Sequence, residues 1–138
     1  MKQYVDDISV NTIVGEGSFV EGTINSAGFT KIDGDVKGNI NSKGRVVISQ
    51  QARVKGNIRG SAVVLGGIVN GDIIAPESVS LSKTAIVLGA IITKNLLIEN
   101  GALFSGLCYA INNREGFEYA EQNYKNKRIV ESVTGHHR

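Results

Sequence analysis

A five-residue pattern, apolar-x-Gly-x-apolar, recurs along most of this chain of 138 residues. The central glycines of its six copies are Gly22, Gly38, Gly56, Gly71, Gly89 and Gly106, spaced by 16, 18, 15, 18 and 17 residues. A second apolar element keeps the same spacing, at residues 46–48, 63–65, 79–81 and 96–98. Repeats of this length indicate an architecture in which each copy stacks on the one before it.

The repeats have the properties of short β-strands rather than helices. Apolar residues alternate within each copy, which predicts strands with one face turned inward. Corner residues lie between the copies, at 42–44, 65–67, 75–78 and 99–101. With 17 Gly, no Trp and only four Phe and four Tyr, the core must be built from small and medium aliphatic side chains. Strands that recur without intervening helices predict an all-β, single-domain β-solenoid of about six windings between residues 12 and 110.

The dimensions and hand of the solenoid follow from the same spacing. At ~4.8 Å for each stacked winding, six windings make a rod on the order of 30 Å long. One winding orders about 17 residues at ~1–2 kcal/mol each, so a winding cannot be stable without its neighbours. Left-handed β-helices carry strict hexapeptides, whereas the spacing here varies by up to three residues. The irregular repeat therefore predicts a right-handed parallel β-helix.

Several segments resemble the bactofilin signature, notably residues 32–40, 46–48, 52–58 and 98–106. The resemblance extends over about residues 12 to 108. It implies a β-helical domain at 12–110, between an N-terminal tail (1–11) and a C-terminal tail (111–138) that is disordered or forms a short helix. It also implies a cytoskeletal scaffold that assembles into filaments without nucleotide, supports bacterial cell shape or wall synthesis, and joins its subunits through like ends.

The ends of a solenoid independently favour assembly. Each end winding exposes unpaired N–H and C=O groups and a cross-section of the core, and monomeric solenoids cover these with polar caps. Only about eleven residues precede the first winding, which is too few for a substantial cap. We therefore predict a homopolymer that forms by end-to-end stacking. The expected interface residues are Ile13, Phe19, Ile98, Phe104 and Cys108.

Two enzyme classes with similar folds are alternatives to a scaffold. Acyltransferases with left-handed β-helices need a histidine base, but the only histidines are His136 and His137 in the C-terminal tail. Right-handed β-helical lyases use clustered carboxylates, for which Asp33 and Asp35 are the candidates. These two residues lie between lysines, a pattern typical of solvated ion pairs. The chain also lacks a Gly-x-x-x-x-Gly-Lys-Ser/Thr loop. We expect no catalytic residue, no metal and no cofactor; a β-helical adaptor stays open as a further alternative.

Positive charge is concentrated in one part of the repeat region. Residues 31–59 hold seven basic and two acidic residues, a net of +5. Lys37 and Lys55 occupy equivalent places in adjacent copies, so we expect them to stack. A candidate surface for an anionic partner comprises Lys37, Arg45, Arg53, Lys55 and Arg59. No aromatic residues interleave these positions, so nucleic acid is not expected as the partner.

Outward positions become apolar in the later copies. A candidate lateral apolar surface comprises Ile86, Leu88, Ile92 and Leu107, with Ile74 and Leu97 also expected to point outward. Either another molecule covers this surface or the C-terminal segment does. Phe117, Ala120 and Tyr124 would fall on one side of a short helix and could provide such a cover.

The remaining features concern location. Cys108 is the only cysteine and cannot form an internal disulfide, which fits a reducing cytosol. The first eleven residues lack the apolar run of a signal peptide or membrane tail, and no stretch approaches 18 apolar residues. The sequence therefore predicts a cytoplasmic protein. Direct membrane binding is not expected, but partner proteins at the inner membrane face or in cell-wall synthesis are compatible with the resemblance.

Overall fold

The computed structural model describes residues 10–111 together with Glu118, Glu121 and Gln122. Over residues 10–111 the chain forms eighteen short strands. In chain order they are β1 (Val10–Val14), β2 (Phe19–Glu21), β3 (Ile24–Ser26), β4 (Phe29–Ile32), β5 (Asp35–Lys37), β6 (Ile40–Ser42), β7 (Arg45–Ile48), β8 (Arg53–Lys55), β9 (Ile58–Arg59), β10 (Ala62–Leu65), β11 (Ile68–Asn70), β12 (Ile73–Ala75), β13 (Ser78–Leu81), β14 (Ile86–Leu88), β15 (Ile91–Thr93), β16 (Leu96–Ile98), β17 (Leu103–Ser105) and β18 (Cys108–Ala110).

Every strand pairs in parallel with the strand three places along the chain, so three strands make one winding. The strands form three six-stranded sheets: sheet A (β1-β4-β7-β10-β13-β16), sheet B (β2-β5-β8-β11-β14-β17) and sheet C (β3-β6-β9-β12-β15-β18). The predicted β-solenoid of six windings is confirmed. Its right-handed sense stays a prediction from the sequence.

The recurring pentapeptide is not one strand, as its alternating pattern predicted, but two. In the second copy, Val36 belongs to β5 of sheet B and Ile40 to β6 of sheet C, with Gly38 forming the corner between them. The five glycines Gly22, Gly38, Gly56, Gly89 and Gly106 have φ between 123° and 153°, and Gly71 has φ 158°. Each repeat therefore bends at its glycine, which makes the solenoid three-sided where the sequence had indicated two strand elements per winding.

The corner glycines stack directly on one another. A Cβ atom built on Gly56 would lie 2.0 Å from the carbonyl oxygen of Gly38, and one on Gly38 equally close to that of Gly22. This close approach lets the Gly38 N–H donate to the Lys55 carbonyl at 2.9 Å, so that the hydrogen bonding between windings continues through the corner. Glycine is thus required both by the backbone angle and by the space available.

At several corners the residue after the glycine adds a hydrogen bond between its side chain and the backbone of the next winding. The Asn39 side-chain oxygen accepts a hydrogen bond from the Asn57 N–H at 3.0 Å, and the Asn57 oxygen one from the Asp72 N–H at 2.9 Å. The Asp72 carboxylate accepts from the Ala90 N–H at 2.8 Å. Side chains of one winding therefore satisfy backbone donors of the next that turn away from the sheets.

Inward columns of side chains from all three sheets form the core. Sheets A and C each have a second, shorter inward column (Thr30, Val46, Val63, Val79 and Leu96 on sheet A; Ser42, Ala75 and Thr93 on sheet C), beside one main column per sheet that runs along the whole rod. The sheet A column is Val14, Ile32, Ile48, Leu65, Leu81 and Ile98; the sheet B column is Val20, Val36, Val54, Val69, Val87 and Phe104; and the sheet C column is Ile24, Ile40, Ile58, Ile73, Ile91 and Cys108. The members in the middle windings are almost fully buried. Like residues stack on like because each position recurs once per winding.

Alanine substitutions in the glycine column should separate the two requirements for glycine. Gly22→Ala introduces only backbone strain, because nothing lies within 4 Å of its added Cβ. Such strain costs about 1–3 kcal/mol. Gly56→Ala adds a clash with the Gly38 carbonyl. We expect Gly56→Ala to lower the free energy of unfolding clearly more than Gly22→Ala, as measured by denaturant titration. Equal losses for the two variants would contradict the stacked-corner explanation.

Candidate functional site

The C-terminal end of the solenoid exposes the end of the main inward column of each sheet, while Leu96, which ends the second column of sheet A, is partly buried against the core. Ile98, Phe104 and Cys108, predicted as interface residues, terminate the columns of sheets A, B and C. Although they point toward the core, Ile98 is 50% exposed, Cys108 is exposed and Phe104 is only partly buried. Their exposure arises because no seventh winding covers them among the described residues. Apolar side chains in this arrangement are the cross-section of a core.

The backbone at this end is also open. In the preceding winding the Gly89 N–H donates to the Ser105 carbonyl and the Ile91 N–H to the Leu107 carbonyl, at 2.9 and 2.8 Å. The equivalent groups of the last winding are in Gly106 and Cys108. No further strand stacks on β16, β17 and β18 within the part of the chain that the structure describes. Three parallel strand edges therefore face the end of the rod together.

At the N-terminal end the two predicted interface residues point sideways. Ile13 is in register with Lys31, and Phe19 with Asp35, and these partners lie on the outer faces of sheets A and B. Both apolar side chains are strongly exposed. The inward residues at this end are instead Val14, Val20 and Ile24. Ile13 and Phe19 therefore lie in the first winding but point outward, which does not suit the contact along the axis for which they were predicted.

The predicted basic surface is divided among three faces. Arg53, Lys37 and Lys55 lie on sheet B, where the two lysines stack in register as expected. Arg45 begins β7 of sheet A, and Arg59 lies on the outer face of sheet C. The three-sided winding separates residues that are close in sequence. Recruitment of an anionic partner by these residues stays a prediction.

Acidic residues partly neutralise the basic ones on sheet B. Arg53 donates to both carboxylate oxygens of Asp35, at 3.2 and 2.9 Å, which raises the pKa of Arg53. Lys37 lies 3.9 Å from Glu21 across the first two windings. Lys55 continues this column toward the C-terminal end. The face thus carries both signs of charge, with Lys37 and Lys55 as one pair of like charges in register.

Asp33 and Asp35 each bind neighbouring side chains and are not arranged as a catalytic pair. Asp33 accepts hydrogen bonds from the Ser49 hydroxyl and from Lys31, which lower its pKa. Asp35 is paired with Arg53. The two carboxylates therefore have separate partners and do not share a site. Within the described residues, no three His, Cys, Asp or Glu side chains come together as metal ligands would. His136 and His137 lie outside the described residues.

The predicted lateral apolar surface must be corrected at Ile92. Ile86 and Leu88 lie on the outer face of sheet B and Leu107 lies beside them at the corner, with Leu88 and Leu107 exposed. Ile92 instead lies on sheet C and is 1% exposed, and its neighbour Ile74 is 8% exposed. The two isoleucines pack together with Ile111 as a second apolar cluster outside the main core. Ile92 is therefore not available for a lateral contact.

A contact from the C-terminal segment reaches this same face. The Arg59 guanidinium, in the same column of sheet C as Ile74 and Ile92, forms an ion pair with the carboxylate of Glu121. Glu118, Glu121 and Gln122 are helical, and Glu121 is buried. Phe117, Ala120 and Tyr124, predicted to provide the cover, lie outside the described residues. The contact itself supports the alternative in which the chain covers one of its own faces.

A shallow groove of about 420 Å³ lies beside this contact on sheet C. Asn25, Asn41 and Arg59 line it, and the Asn41 amide donates to the Asn25 side-chain oxygen at 3.2 Å. Of the groove's two cationic side chains, Lys43 and Arg59, Glu121 holds Arg59, and its two serine hydroxyls, Ser26 and Ser42, both donate to the Gly28 carbonyl. The groove therefore contains no group that is placed as a base or nucleophile. No helix among the described residues is long and apolar enough to cross a membrane.

Comparison with known proteins connects these features to a family. Residues 12–109 match the bactofilin family, described as polymer-forming and cytoskeletal. Bactofilin BacO of Myxococcus xanthus (strain DK1622) is 31% identical over 99 residues, which are 72% of this chain and 79% of BacO. Bactofilin BacP of the same organism is 28% identical over 96 residues, 70% of this chain and 40% of BacP.

Two solved structures of Thermus thermophilus bactofilin are similar in fold. A cryo-EM reconstruction of its double helical filaments has a TM-score of 0.69 and 33% identity, and covers 72% of this chain and 98% of that chain. A crystal structure of a phenylalanine-to-arginine variant has a TM-score of 0.62 and 30% identity, and covers 66% of this chain and 100% of that chain. Bactofilins are cytoskeletal proteins rather than enzymes, which decides against the acyltransferase alternative. With its six-winding solenoid and a match over residues 12–109, the chain belongs to the bactofilin family of polymer-forming cytoskeletal proteins.

Proposed function

We propose that this chain builds a filament by stacking its solenoid ends, without nucleotide or metal, and that the filament is a scaffold in the cytoplasm. The observation that carries the proposal is the C-terminal end, where Ile98, Phe104 and Cys108 leave three core columns unfinished. The filaments of the T. thermophilus relative support self-assembly of a closely similar fold. Support of cell shape or cell-wall synthesis, through partners at the inner membrane face, is part of the proposal and is based on the family resemblance.

End stacking is favourable because it continues interactions that already hold the windings together. Each added backbone hydrogen bond contributes about 1 kcal/mol. Full burial of an apolar side chain contributes roughly 1.5–3 kcal/mol, and Ile98 and Phe104 are only partly covered in the subunit. These terms must exceed the loss of translational and rotational freedom, about 4–15 kcal/mol. Three open strand edges and three open columns acting together can do so, whereas one edge alone would not.

Assembly should need nothing besides the protein. In plain buffer we expect filaments that pellet on ultracentrifugation and are visible by negative-stain microscopy, because every proposed contact is between side chains and backbone of this chain. Adding ATP, GTP or a chelator should leave the pelleted fraction unchanged. Filaments that appear only with nucleotide or metal would contradict the proposal, and so would uniform small oligomers at all concentrations.

Phe104→Arg should abolish filaments and leave the subunit folded. The side chain ends the sheet B column, so a charge there would be buried unpaired in the junction, at a cost on the order of 3 kcal/mol or more. That cost raises the concentration needed for assembly by roughly 100-fold. In the free subunit the arginine can reach water, so circular dichroism should still show β-structure. Leu97→Arg is the control, because Leu97 is in the same winding but faces outward from sheet A. Leu97→Arg should assemble normally; filaments of Phe104→Arg at wild-type concentration would place the junction elsewhere.

Cys108 can report which ends meet. It is the only cysteine and ends the sheet C column. If like ends join, as the family resemblance implies, two Cys108 thiols lie at one junction and a short bismaleimide should link subunits into covalent dimers. If unlike ends join, successive Cys108 residues are separated by the length of the rod, on the order of 30 Å. Partial desolvation raises the pKa of the exposed Cys108 thiol, so the reaction is run at mildly alkaline pH to form the thiolate. Filaments that yield no dimers would contradict like-end contacts, and Cys108→Ser controls for other linkages.

A further inference from the structure

The outer face of sheet B changes character halfway along the rod. Its first three windings present the charged residues Glu21, Asp35, Lys37, Arg53 and Lys55, with one exposed apolar residue, Phe19, in the first winding. Its last three windings present Ile68, Ile86, Leu88 and Leu103, which we call the sheet B stripe. The only polar outward residues on β11, β14 and β17 are Asn70 and Ser105, on either side of Leu88. The inward column behind both halves stays aliphatic in its first five windings and ends in Phe104. Packing of the core therefore does not explain why the outer face of sheet B changes from charged to apolar.

The stripe is continuous and open to solvent. Ile68, Ile86 and Leu103 are in register with one another on successive strands, and Leu88 lies on the same face two residues beyond Ile86. Leu88 is 45% exposed and Leu103 is 61% exposed. At the same height on sheet C, Ile74 and Ile92 are buried, and Arg59 of that face contacts Glu121. The described part of the C-terminal segment thus contacts a different apolar face from the stripe.

We propose that the sheet B stripe is the lateral contact through which two rows of end-stacked subunits of this same chain pair. This inference rests on the proposed end-to-end assembly and adds the surface that joins one row to another. Its occupant is a second copy because the stripe reaches the end of the rod. Leu103 and the junction residue Phe104 are neighbours in β17, so the stripe borders the proposed end interface. Apolar residues meeting the same residues about a two-fold axis form a self-complementary contact.

The size of the stripe determines when the contact can form. Four partly exposed aliphatic side chains offer on the order of 200 Å² per subunit, or about 400 Å² for a pair, far below the roughly 1,200 Å² in total that a stable specific interface buries. Two free subunits should therefore not pair through it. A row of end-stacked subunits presents one stripe per subunit, and the contacts then act together as a multivalent interface. Lateral pairing is accordingly a consequence of polymerisation and not a step before it.

The test uses two matched double variants of the full chain. Leu88→Lys with Leu103→Lys adds two charges to the stripe, in windings five and six. Ser80→Lys with Leu97→Lys adds the same charges to the outer face of sheet A in the same two windings. By electron microscopy and mass-per-length measurement we expect two-row filaments from wild type and from the sheet A variant. The sheet B variant should form single rows, with mass per length lower by about half.

Each of the following results would contradict the inference. Single rows in wild type, or two rows in the sheet B variant, would show that the stripe does not pair rows, while end-to-end assembly would still stand. Loss of all filaments in the sheet B variant would assign the stripe to the end junction. A Phe104→Arg subunit that dimerises, and does so only with the stripe intact, would show that pairing precedes assembly. Paired filaments that lose only their binding to phosphatidylcholine vesicles in the sheet B variant would assign the stripe to a lipid surface.

Discussion

The close approach of backbone at the corner glycines determines most of the other geometry in this protein. A Cβ on Gly71 would lie 2.0 Å from the Gly56 carbonyl oxygen, so consecutive windings touch at this corner with no room for a side chain. Because the corner repeats at the same place in every winding, the strands on either side of it pair in register. The columns of the core and the alternation of inward and outward residues follow from that register. The varying number of residues per winding is absorbed at the other corners.

The fold is held together by contacts between similar windings, and nothing in those contacts limits the number of windings. The interactions between the fifth and sixth windings are of the same kind as those between the second and third, and the sixth winding lacks only its next neighbour. Stability in such proteins comes from the interfaces between repeats more than from any one repeat. End-to-end assembly therefore draws on the same kinds of interaction, hydrogen bonds at strand edges and burial of apolar side chains, with a second molecule whose end matches. Phe104 differs from the valines before it in the same column, which gives the open end a larger apolar surface than an inner winding would have.

The sequence predicted those features that depend on local spacing. The number of windings and the inward columns were readable because a solenoid repeats each environment once per winding. The three-sided cross-section was not, because the alternation Val36-x-Gly38-x-Ile40 looks like one strand until the glycine is known to turn the corner. The same error affected the surfaces: residues such as Lys55 and Arg59, four apart in sequence, were assigned to one patch although a corner separates them. Ile92 is buried with Ile74 and Ile111, and Arg59 in the same column is held by Glu121, 62 residues away, so no local pattern indicates that the chain contacts this face.

The division between inward and outward positions also indicates where function is carried. Inward residues are constrained by their neighbours above and below, since each column must fill a channel of nearly constant width, and Val54, Val69 and Val87 satisfy this in succession. Outward residues on the same strands have no such constraint, so their character reflects what lies outside the subunit. Sheet C turns apolar at Ile74 and Ile92, and there the chain supplies its own contact. Sheet B turns apolar over the same windings without one among the described residues. An outer face that is apolar, in register and uncovered next to an open end is best explained by a partner that is present only when subunits are arranged in a row.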